Sequence, residues 1–224
     1  MRLSSFVAVL VVGGIAASPV CAQSAQSVDG ILDRAVGAWA KVHTVRGAFE
    51  QTVTNPLTGS SATARGDFSQ ERPNRLAIRF SRPDSGAIVA DGKYLWVYLP
   101  STAPGQVIKR AATDRGSVPI DVTGQFLDAP KSKYDITAAG TRTVSGHPAH
   151  GLALVAKQGA SSPVLRATVW VDDDDSFIRE FESTEQSGIT RHVRLTTLEV
   201  NEPVAREAFV FSVPKGARVI DQTK

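Results

Sequence analysis

Cysteine is almost missing from this chain of 224 residues, which contains one, Cys21. We expect Cys21 to be removed with the N-terminal segment described below. A mature chain without cysteine has no disulfide bond, no thiolate metal site and no cysteine nucleophile. This excludes disulfide-stabilised proteins, proteins with cysteine-ligated metals and enzymes with a catalytic cysteine.

Long apolar runs are also scarce, and the one at the N terminus, Phe6 to Ala17, is too short to span a membrane comfortably. A positive start precedes it, and Val20-Cys21-Ala22 ends in the small residues that signal peptidase recognises. We therefore expect cleavage after Ala22, with residues 1–22 as signal peptide and residues 23–224 as one mature domain. An uncleaved anchor is the alternative.

The position before Cys21 bears on lipidation, because a lipoprotein signal has a small residue there and this chain has Val20. We expect Cys21 not to be acylated. In a bacterium with two membranes, the mature protein is then expected to be soluble in the periplasm.

Excess charge of one sign is lacking. The formal net charge is +3, and removal of Arg2 leaves +2, spread evenly along the chain. No cluster of Lys and Arg is interleaved with aromatic residues, so nucleic acid is not an expected partner.

Motifs for chemistry are missing as well. The chain has no Gly-x-Ser-x-Gly elbow and no glycine-rich phosphate loop. His147 and His150 flank Pro148, which excludes a helical metal pair, and we interpret them as turn histidines. The run Asp172 to Asp175 lacks the glycine and terminal glutamate of a calcium loop, and we interpret it as a solvated hairpin tip. We expect no catalytic residue, no metal and no cofactor.

What the sequence does contain is a central β-rich stretch, Asp67 to Pro100. Leu76, Ile78 and Phe80 alternate with polar or small residues, which indicates a strand with one apolar face. Asp91-Gly92 separates two further β-type runs, a strong hairpin signal. The stretch predicts three strands and one large apolar face.

The rest of the chain predicts one helix, more strands and a short covering helix. Val28 to Val42 has apolar residues at helical spacing, with Ser27 as N-cap and with Trp39 as a residue that can also touch a ligand. A short amphipathic helix that Pro119 opens and that ends before Pro130 is a candidate lid. Without a linker or repeat, we expect one mainly antiparallel domain of about ten or eleven strands, as a curled sheet or open barrel.

Arg72 precedes the alternating apolar residues and has two interpretations. An arginine at the rim of an apolar cavity has five donors and a permanent charge, so it can hold backbone carbonyls of a lid. The alternative is an exposed arginine at the end of a strand.

The order and spacing of several short segments resemble the periplasmic outer-membrane lipoprotein carrier proteins. These segments are Phe49-Glu50-Gln51, Gly66-Asp67-Phe68, Arg72-Pro73-Asn74, Asp91 to Pro100, and Phe209 to Gly216. The resemblance covers nearly all of the mature part. It implies an unclosed antiparallel β-barrel with short helices as a lid over an apolar cavity.

The resemblance also implies partners. The cavity would take the acyl chains of lipoproteins released by an ATP-driven inner-membrane transporter, and the carrier would deliver them to an outer-membrane receptor without catalysing a reaction. We expect the carrier to be a monomer.

The resemblance assigns site residues. Arg72 matches the arginine that holds the lid closed through backbone carbonyls, which by position come from Trp39, Thr123 and Gly124. Leu76 matches a position at the cavity mouth. From alternation together with the resemblance, we expect the acyl-chain cavity to be lined by Leu76, Ile78, Phe80, Ile88, Trp96, Tyr98, Ile120 and Val122.

Three alternatives remain open at the level of sequence. The first is a membrane-anchored lipoprotein receptor of the same fold, for which acylated Cys21 would be the sign. The second is a periplasmic carrier or sensor of other amphiphiles. The third is a hydrolase on a lipid-binding scaffold that uses His43 or His192.

Overall fold

The computed structural model describes residues 27–112 and 123–223, and most of them belong to one large sheet. The strands are β1 (Thr44–Asn55), β2 (Ser60–Glu71), β3 (Arg75–Arg82), β4 (Ala87–Asp91), β5 (Tyr94–Tyr98), β6 (Gln106–Ala111), β7 (Tyr134–Val144), β8 (His147–Ala156), β9 (Val164–Asp172), β10 (Ile178–Glu185), β11 (Thr190–Val200) and β12 (Arg218–Asp221). The helices are α1 (Val28–Ala40), a 3-10 turn at Gly124–Phe126, α2 (Pro130–Lys133) and a second 3-10 turn at Arg206–Phe209.

The sheet is unclosed. Its strand order is β12-β6-β5-β4-β3-β2-β1-β11-β10-β9-β8-β7, so β12 and β7 form its two edges. All pairs are antiparallel except β12 with β6, where Val219 lies opposite Val107. The predicted fold class is confirmed, and the described residues form twelve strands where ten or eleven were expected.

In the middle of the sheet, two glycines allow neighbouring strands to approach closely. A Cβ on Gly47 would lie 2.1 Å from the carbonyl oxygen of Thr197, and one on Gly66 would lie 2.2 Å from that of Arg79. Register shifts occur beside both positions, between Ala48 and Phe49 and between Arg65 and Gly66. Glycine and β-bulges are the usual means by which a sheet curls into a half-barrel.

Helix α1 covers one half of the concave face, which we call the inner face. Ser27 caps it by accepting the N–H of Gly30 at 3.1 Å, as the sequence predicted. Ile31, Leu32, Ala35 and Trp39 are buried against β1, β2 and β8 to β11. Burial of each large side chain contributes about 1.5–3 kcal/mol, so packing rather than helix propensity holds α1 in place.

Residues 201–217, between β11 and β12, cross the opposite, outer face of β3 to β5. We call them the C-terminal segment. Phe209 is buried there against Ala77 and Val89. The Arg79 guanidinium donates to the carbonyls of Ala208 and Val210, both at 3.1 Å. The chain then turns and adds β12 to the edge of β6.

The predicted lid helix differs from the one observed. Gly124–Phe126 forms only a 3-10 turn, and Pro130 begins α2 instead of following a helix. Proline lacks an N–H and fits the first turn of a helix, which explains this start. Ile120 and Val122 lie outside the described residues.

Hydropathy and length together rule out a membrane-spanning helix within residues 27–112 and 123–223.

Candidate lipid-binding site

An apolar patch covers the inner face of β3, β4 and β5. We call it the inner patch, and it consists of Leu76, Ile78, Phe80, Ile88, Ala90, Leu95, Val97 and Leu99. Strand register produces it, because Leu76 lies opposite Ala90, Ile78 opposite Ile88, and Ile88 in turn opposite Val97. Leu76 and Leu95 are only 0% and 1% exposed, so the centre of the patch is shielded from water.

The inner patch is continuous with the core beneath α1. Ile78 and Phe80 contact both groups of residues. The ring of Phe80 meets that of Phe49 edge to face, with centroids 5.7 Å apart. The two groups of apolar side chains therefore form one continuous surface on the inner face.

Four predicted cavity residues, Leu76, Ile78, Phe80 and Ile88, are brought together on this one face. Ala90, Leu95, Val97 and Leu99 were missed. The signal that could have found them is the Asp91-Gly92 hairpin, because its register pairs Ile88 with Val97 and Ala90 with Leu95.

The prediction that Trp96 and Tyr98 line the same cavity is wrong. Side chains alternate along β5, so these two project to the outer face opposite Leu95 and Val97. Trp96 stacks on Phe211 of the C-terminal segment with ring centroids 5.5 Å apart, within the outer cluster around Phe209. Its position indicates a structural role.

Arg72 lies in the turn between β2 and β3 and contacts the end of α1. Its Nη1 donates to the carbonyl of Trp39 at 2.9 Å and to that of Val42 at 3.3 Å, and its guanidinium lies 5.6 Å from the Trp39 ring centroid. Its backbone N–H donates to the carbonyl of His43 at 2.9 Å, which fixes the turn.

The position of Arg72 at the C-terminal end of α1 explains why this contact is favourable. The last turn of α1 contains no basic residue, and Lys41 follows it as the C-cap. Arg72 adds a cation to this helix end from a different element, where positive charge is stabilising. Such a contact contributes about 0.3–1 kcal/mol at an exposed position, and Arg72 is exposed, so thermal fluctuation can open it.

Thr123 and Gly124 begin the described part of the segment between β6 and β7. Both are buried, and the neighbouring Phe126 packs on Phe181 with ring centroids 4.9 Å apart. The Gly124 carbonyl accepts the N–H groups of Leu127 and Asp128, both at 2.9 Å. A hydrogen bond from Arg72 to Thr123 or Gly124 stays a prediction.

The acidic run between β9 and β10 is not simply a solvated tip. Asp172 is buried, with the Arg179 Nε 2.8 Å and the His147 Nδ1 2.9 Å from its Oδ2. His147 and His150 lie in β8 rather than in the turn before it. His147, Asp172 and Asp174 bring ligand-type atoms within 4.8 Å of one another, but the guanidinium already occupies one Asp172 oxygen. We interpret this cluster as a structural contact that joins the β7–β8 hairpin, through His147, to the β9–β10 hairpin.

Solved structures of similar fold include MucB, with a TM-score of 0.52 and 16% identity over 84% of this chain and 64% of that chain. An uncharacterised conserved protein from Thermus thermophilus gives a TM-score of 0.53 and 15% identity over 88% of this chain and all of the other. At such identities the likeness extends to the fold alone.

Sequence relatives carry the name outer-membrane lipoprotein carrier protein. One from Klebsiella pneumoniae strain 342 is 27% identical over 213 residues, which cover 94% of each chain. One from Salmonella typhi is 26% identical over 220 residues, covering 97% of this chain and 98% of the relative. The family model described as outer membrane lipoprotein carrier protein LolA matches residues 40–212, and the chain belongs to that family.

Proposed function

We propose that this protein is a periplasmic carrier that binds the acyl chains of lipoproteins and transports them between membranes without catalysing a reaction. The observation that carries the proposal is the inner patch, a continuous apolar surface that adjoins the core beneath α1. The names of the relatives, given above, agree with this cargo. In this proposal residues 1–22 are the signal peptide, and residues 23–224 form the carrier domain.

The size of the hydrophobic effect explains why a carrier is needed. Transfer of one methylene from water to an apolar environment contributes roughly 0.8 kcal/mol, so two or three acyl chains cannot cross water unaided. A carrier must shield these chains yet release them. The inner patch provides the shielding, and competition between ligand and the closed, empty state provides the release.

Arg72 acts as the latch in this proposal. The closed state holds α1 through the Trp39 and Val42 carbonyls, and loading requires that contact to break. An inner-membrane ATP-driven transporter would supply the lipoprotein, and an outer-membrane receptor would accept it. Thr123 and Gly124 are further candidates for the latch.

The first experiment tests the apolar site. Residues 23–224 are purified, incubated with detergent-solubilised triacylated lipoproteins and captured, and the bound lipoproteins are identified by mass spectrometry. Val97→Asp should abolish capture, because it places a carboxylate on the inner patch. Val213→Asp, on the exposed C-terminal segment, should capture normally. If Val97→Asp fails to fold, Val97→Thr serves as a milder change at the same position. Normal capture of lipoproteins by a folded Val97→Asp variant would refute the site.

The second experiment tests the latch. Arg72→Leu should change the rate at which bound lipoprotein is transferred to outer-membrane vesicles by several-fold. It should lower the free energy of unfolding by no more than about 1 kcal/mol. Arg72→Lys, which keeps the charge but not the fork of donors, should have an intermediate rate. Transfer by Arg72→Leu at the parent rate would show that Arg72 is not a latch.

The membrane-anchored receptor is distinguished by its N terminus. Intact-mass measurement of the protein isolated from its host should give a chain that begins at Gln23. An acylated Cys21 would instead identify the anchored receptor.

A further inference from the structure

Strand β2 is longer than the neighbour that pairs with it on one side. It pairs with β1 along its whole length, from Ser60 to Glu71. It pairs with β3 only from Glu71 back to Arg65, which lies opposite Arg82. Residues 60–64 therefore have no strand partner on the β3 side among the described residues. Pro83 follows Arg82 and has no N–H with which to extend the ladder.

A groove of about 630 Å³ lies at the end of β3. We call it the edge notch, and its lining residues are Thr63, Ala64, Arg65, Ser81, Arg82 and Pro83.

Two hydroxyl contacts indicate which backbone groups face the edge notch. Thr52 and Thr63 have their Oγ1 atoms 3.3 Å apart, and Thr54 Oγ1 lies 2.8 Å from Ser61 Oγ. Side chains approach this closely across antiparallel pairs that do not exchange backbone hydrogen bonds. The N–H and C=O groups of Ser61 and Thr63 therefore point away from β1, on the side where the edge notch lies. Ser81 Oγ, which donates to the carbonyl of Arg65, agrees with this direction.

The exposed part of β2 also lacks the features that normally protect a sheet edge. Such edges are usually short, charged, proline-containing or bulged. At the opposite end of the sheet, β7 is interrupted by a register shift between Ala138 and Thr141. Residues 60–64 read Ser-Ser-Ala-Thr-Ala and contain neither charge nor proline. This is a segment able to accept another strand.

The two charged residues that line the edge notch, Arg65 and Arg82, are both arginines. The Arg82 side chain is exposed, and its guanidinium has no hydrogen bond or ion pair with another described residue. Arg65 is paired with Glu50 at 2.7 Å but remains 60% exposed. An added strand with acidic side chains would be attracted to these two guanidinium groups.

The edge notch lies next to the end of the inner patch. Phe80 is opposite Gly66, and the bulge that follows brings Arg82 opposite Arg65. A ligand whose acyl chains cover Leu76, Ile78 and Phe80 would leave the patch beside the notch. The part of a lipoprotein that continues beyond its acyl chains is the polypeptide.

We propose that the edge notch binds the extended polypeptide of the cargo, next to its acylated cysteine, as an added strand that pairs with Ser61 and Thr63 of β2. Acidic residues in that segment contact Arg82 and Arg65. This inference rests on the proposed carrier function and extends it, because the carrier then recognises the peptide as well as the lipid.

The test compares three synthetic probes on residues 23–224. One is a triacylated cysteine amide, the second adds eight residues of alternating Ser and Asp, and the third adds alternating Ser and Lys. The acidic extension should raise the affinity about tenfold over the short probe, the gain expected from two backbone hydrogen bonds and an exposed ion pair. The basic extension should give no gain.

Two variants should remove the gain and leave the affinity for the short probe unchanged. Thr63→Pro deletes one N–H that faces the notch without removing a bond to β1, and Thr63→Ala is its control. Arg82→Glu reverses the charge of this exposed side chain. Arg206→Glu makes the same charge change on the C-terminal segment and should keep the gain.

The outcomes separate the two proposals. If the short probe does not bind, the carrier function itself fails. If it binds and the acidic extension adds nothing, the peptide site is wrong while the carrier function stands. A parent protein that sediments as a dimer, with Thr63→Pro as a monomer, would also overturn the peptide site, because the edge would then pair with a second copy.

Discussion

Asp91 organises the turn between β4 and β5 through a single carboxylate. Its Oδ1 accepts the N–H groups of Lys93 at 2.8 Å and Tyr94 at 2.7 Å, and its Oδ2 accepts the Trp96 indole N–H at 3.0 Å. Partial burial raises the pKa of Asp91, but the hydrogen bonds from Tyr94, Trp96 and Lys93 outweigh it, so the pKa lies below 3.8. The carboxylate is therefore bound more tightly than the carboxylic acid.

A depressed pKa sets the sign of the pH dependence. The contribution of Asp91 is complete above the unfolded pKa of 3.8 and is lost as the pH falls through the lower folded value. Asp91→Asn keeps one side-chain oxygen, which can still accept the backbone N–H groups of Lys93 and Tyr94. Its amide N–H groups would then face the Trp96 indole N–H, which is also a donor. It should lower the free energy of unfolding by about 1–2 kcal/mol at pH 7.

Urea denaturation at pH 7 and at pH 2 measures this effect. The difference between Asp91→Asn and the parent should be smaller at pH 2 than at pH 7, because the stabilisation by the Asp91 carboxylate is lost as the pH falls through its lowered folded pKa. Asp84→Asn, at an exposed position in the preceding turn between β3 and β4, is the matched control and should be neutral at both pH values. An equal loss at both pH values would mean that shape rather than charge holds the turn.

Trp96 provides a test of which face of β5 contacts the ligand. Its ring stacks on Phe211, and its indole N–H is bound to Asp91. Trp96→Leu should therefore lower the free energy of unfolding by about 2 kcal/mol, through lost stacking and burial. It should change the affinity for a triacylated cysteine probe by less than twofold. A large loss of affinity in the folded variant would return Trp96 to the cavity that the sequence assigned to it.

At the scale of elements, α1 is held at both ends by charged contacts from other parts of the chain. Arg72 contacts its C-terminal carbonyls. Near its N terminus, Lys131 of α2 lies 2.9 Å from Asp29 and 3.0 Å from Asp33. Hydrogen bonds to Asp29 and then Asp33 raise the pKa of Lys131, so this lysine stays charged over the physiological range. A helix held in this way can open at one end while the other remains attached.

Hydrogen exchange should resolve the two ends of α1. Arg72→Leu should speed amide exchange mainly in the last turns, and Lys131→Ala mainly in the first. The Lys131 effect should be reproduced in the parent protein by 1 M salt, because exposed ion pairs are screened at that ionic strength. Lys133→Ala, which removes a neighbouring cation paired with Asp128, is the control. Uniform acceleration along the helix in both single variants would show that α1 opens as one unit.

The elements that the sequence predicted correctly are those with local signals. Ser27 and the apolar spacing specify α1, and Asp91-Gly92 specifies the β4–β5 hairpin. The inward direction of Ile78 and the outward direction of Trp96 depend on register across three strands, which alternation within one strand does not determine. The parallel pairing of β12 with β6 joins segments about a hundred residues apart and has no local signature. The contact of Arg72 with the Trp39 carbonyl was reached only through the family resemblance.

At the scale of the whole molecule, β12 protects the edge of β6. The two strands are joined by the ladder and by Lys109 Nζ with Asp221 Oδ2 at 3.2 Å and Arg110 Nε with Gln222 Oε1 at 2.8 Å. A chain that ends after Val213 would keep Phe209 and Phe211 but expose the backbone groups of β6. An unpaired edge promotes association with another copy, whereas the freed Lys109 and Arg110 oppose it by repulsion.

Ionic strength decides which of these two effects prevails in the truncated chain. The Debye length falls from about 10 Å at 0.1 M salt to about 3 Å at 1 M, so repulsion between the cations of two β6 edges is lost while backbone pairing remains. The truncated chain should therefore be monomeric at low salt and should associate at 1 M, whereas the full mature chain should stay monomeric at both. Sedimentation velocity at several protein concentrations measures this difference. Truncation with Lys109→Ser and Arg110→Ser should associate even at low salt, and a truncated chain that stays monomeric under every condition would show that β12 does not protect this edge.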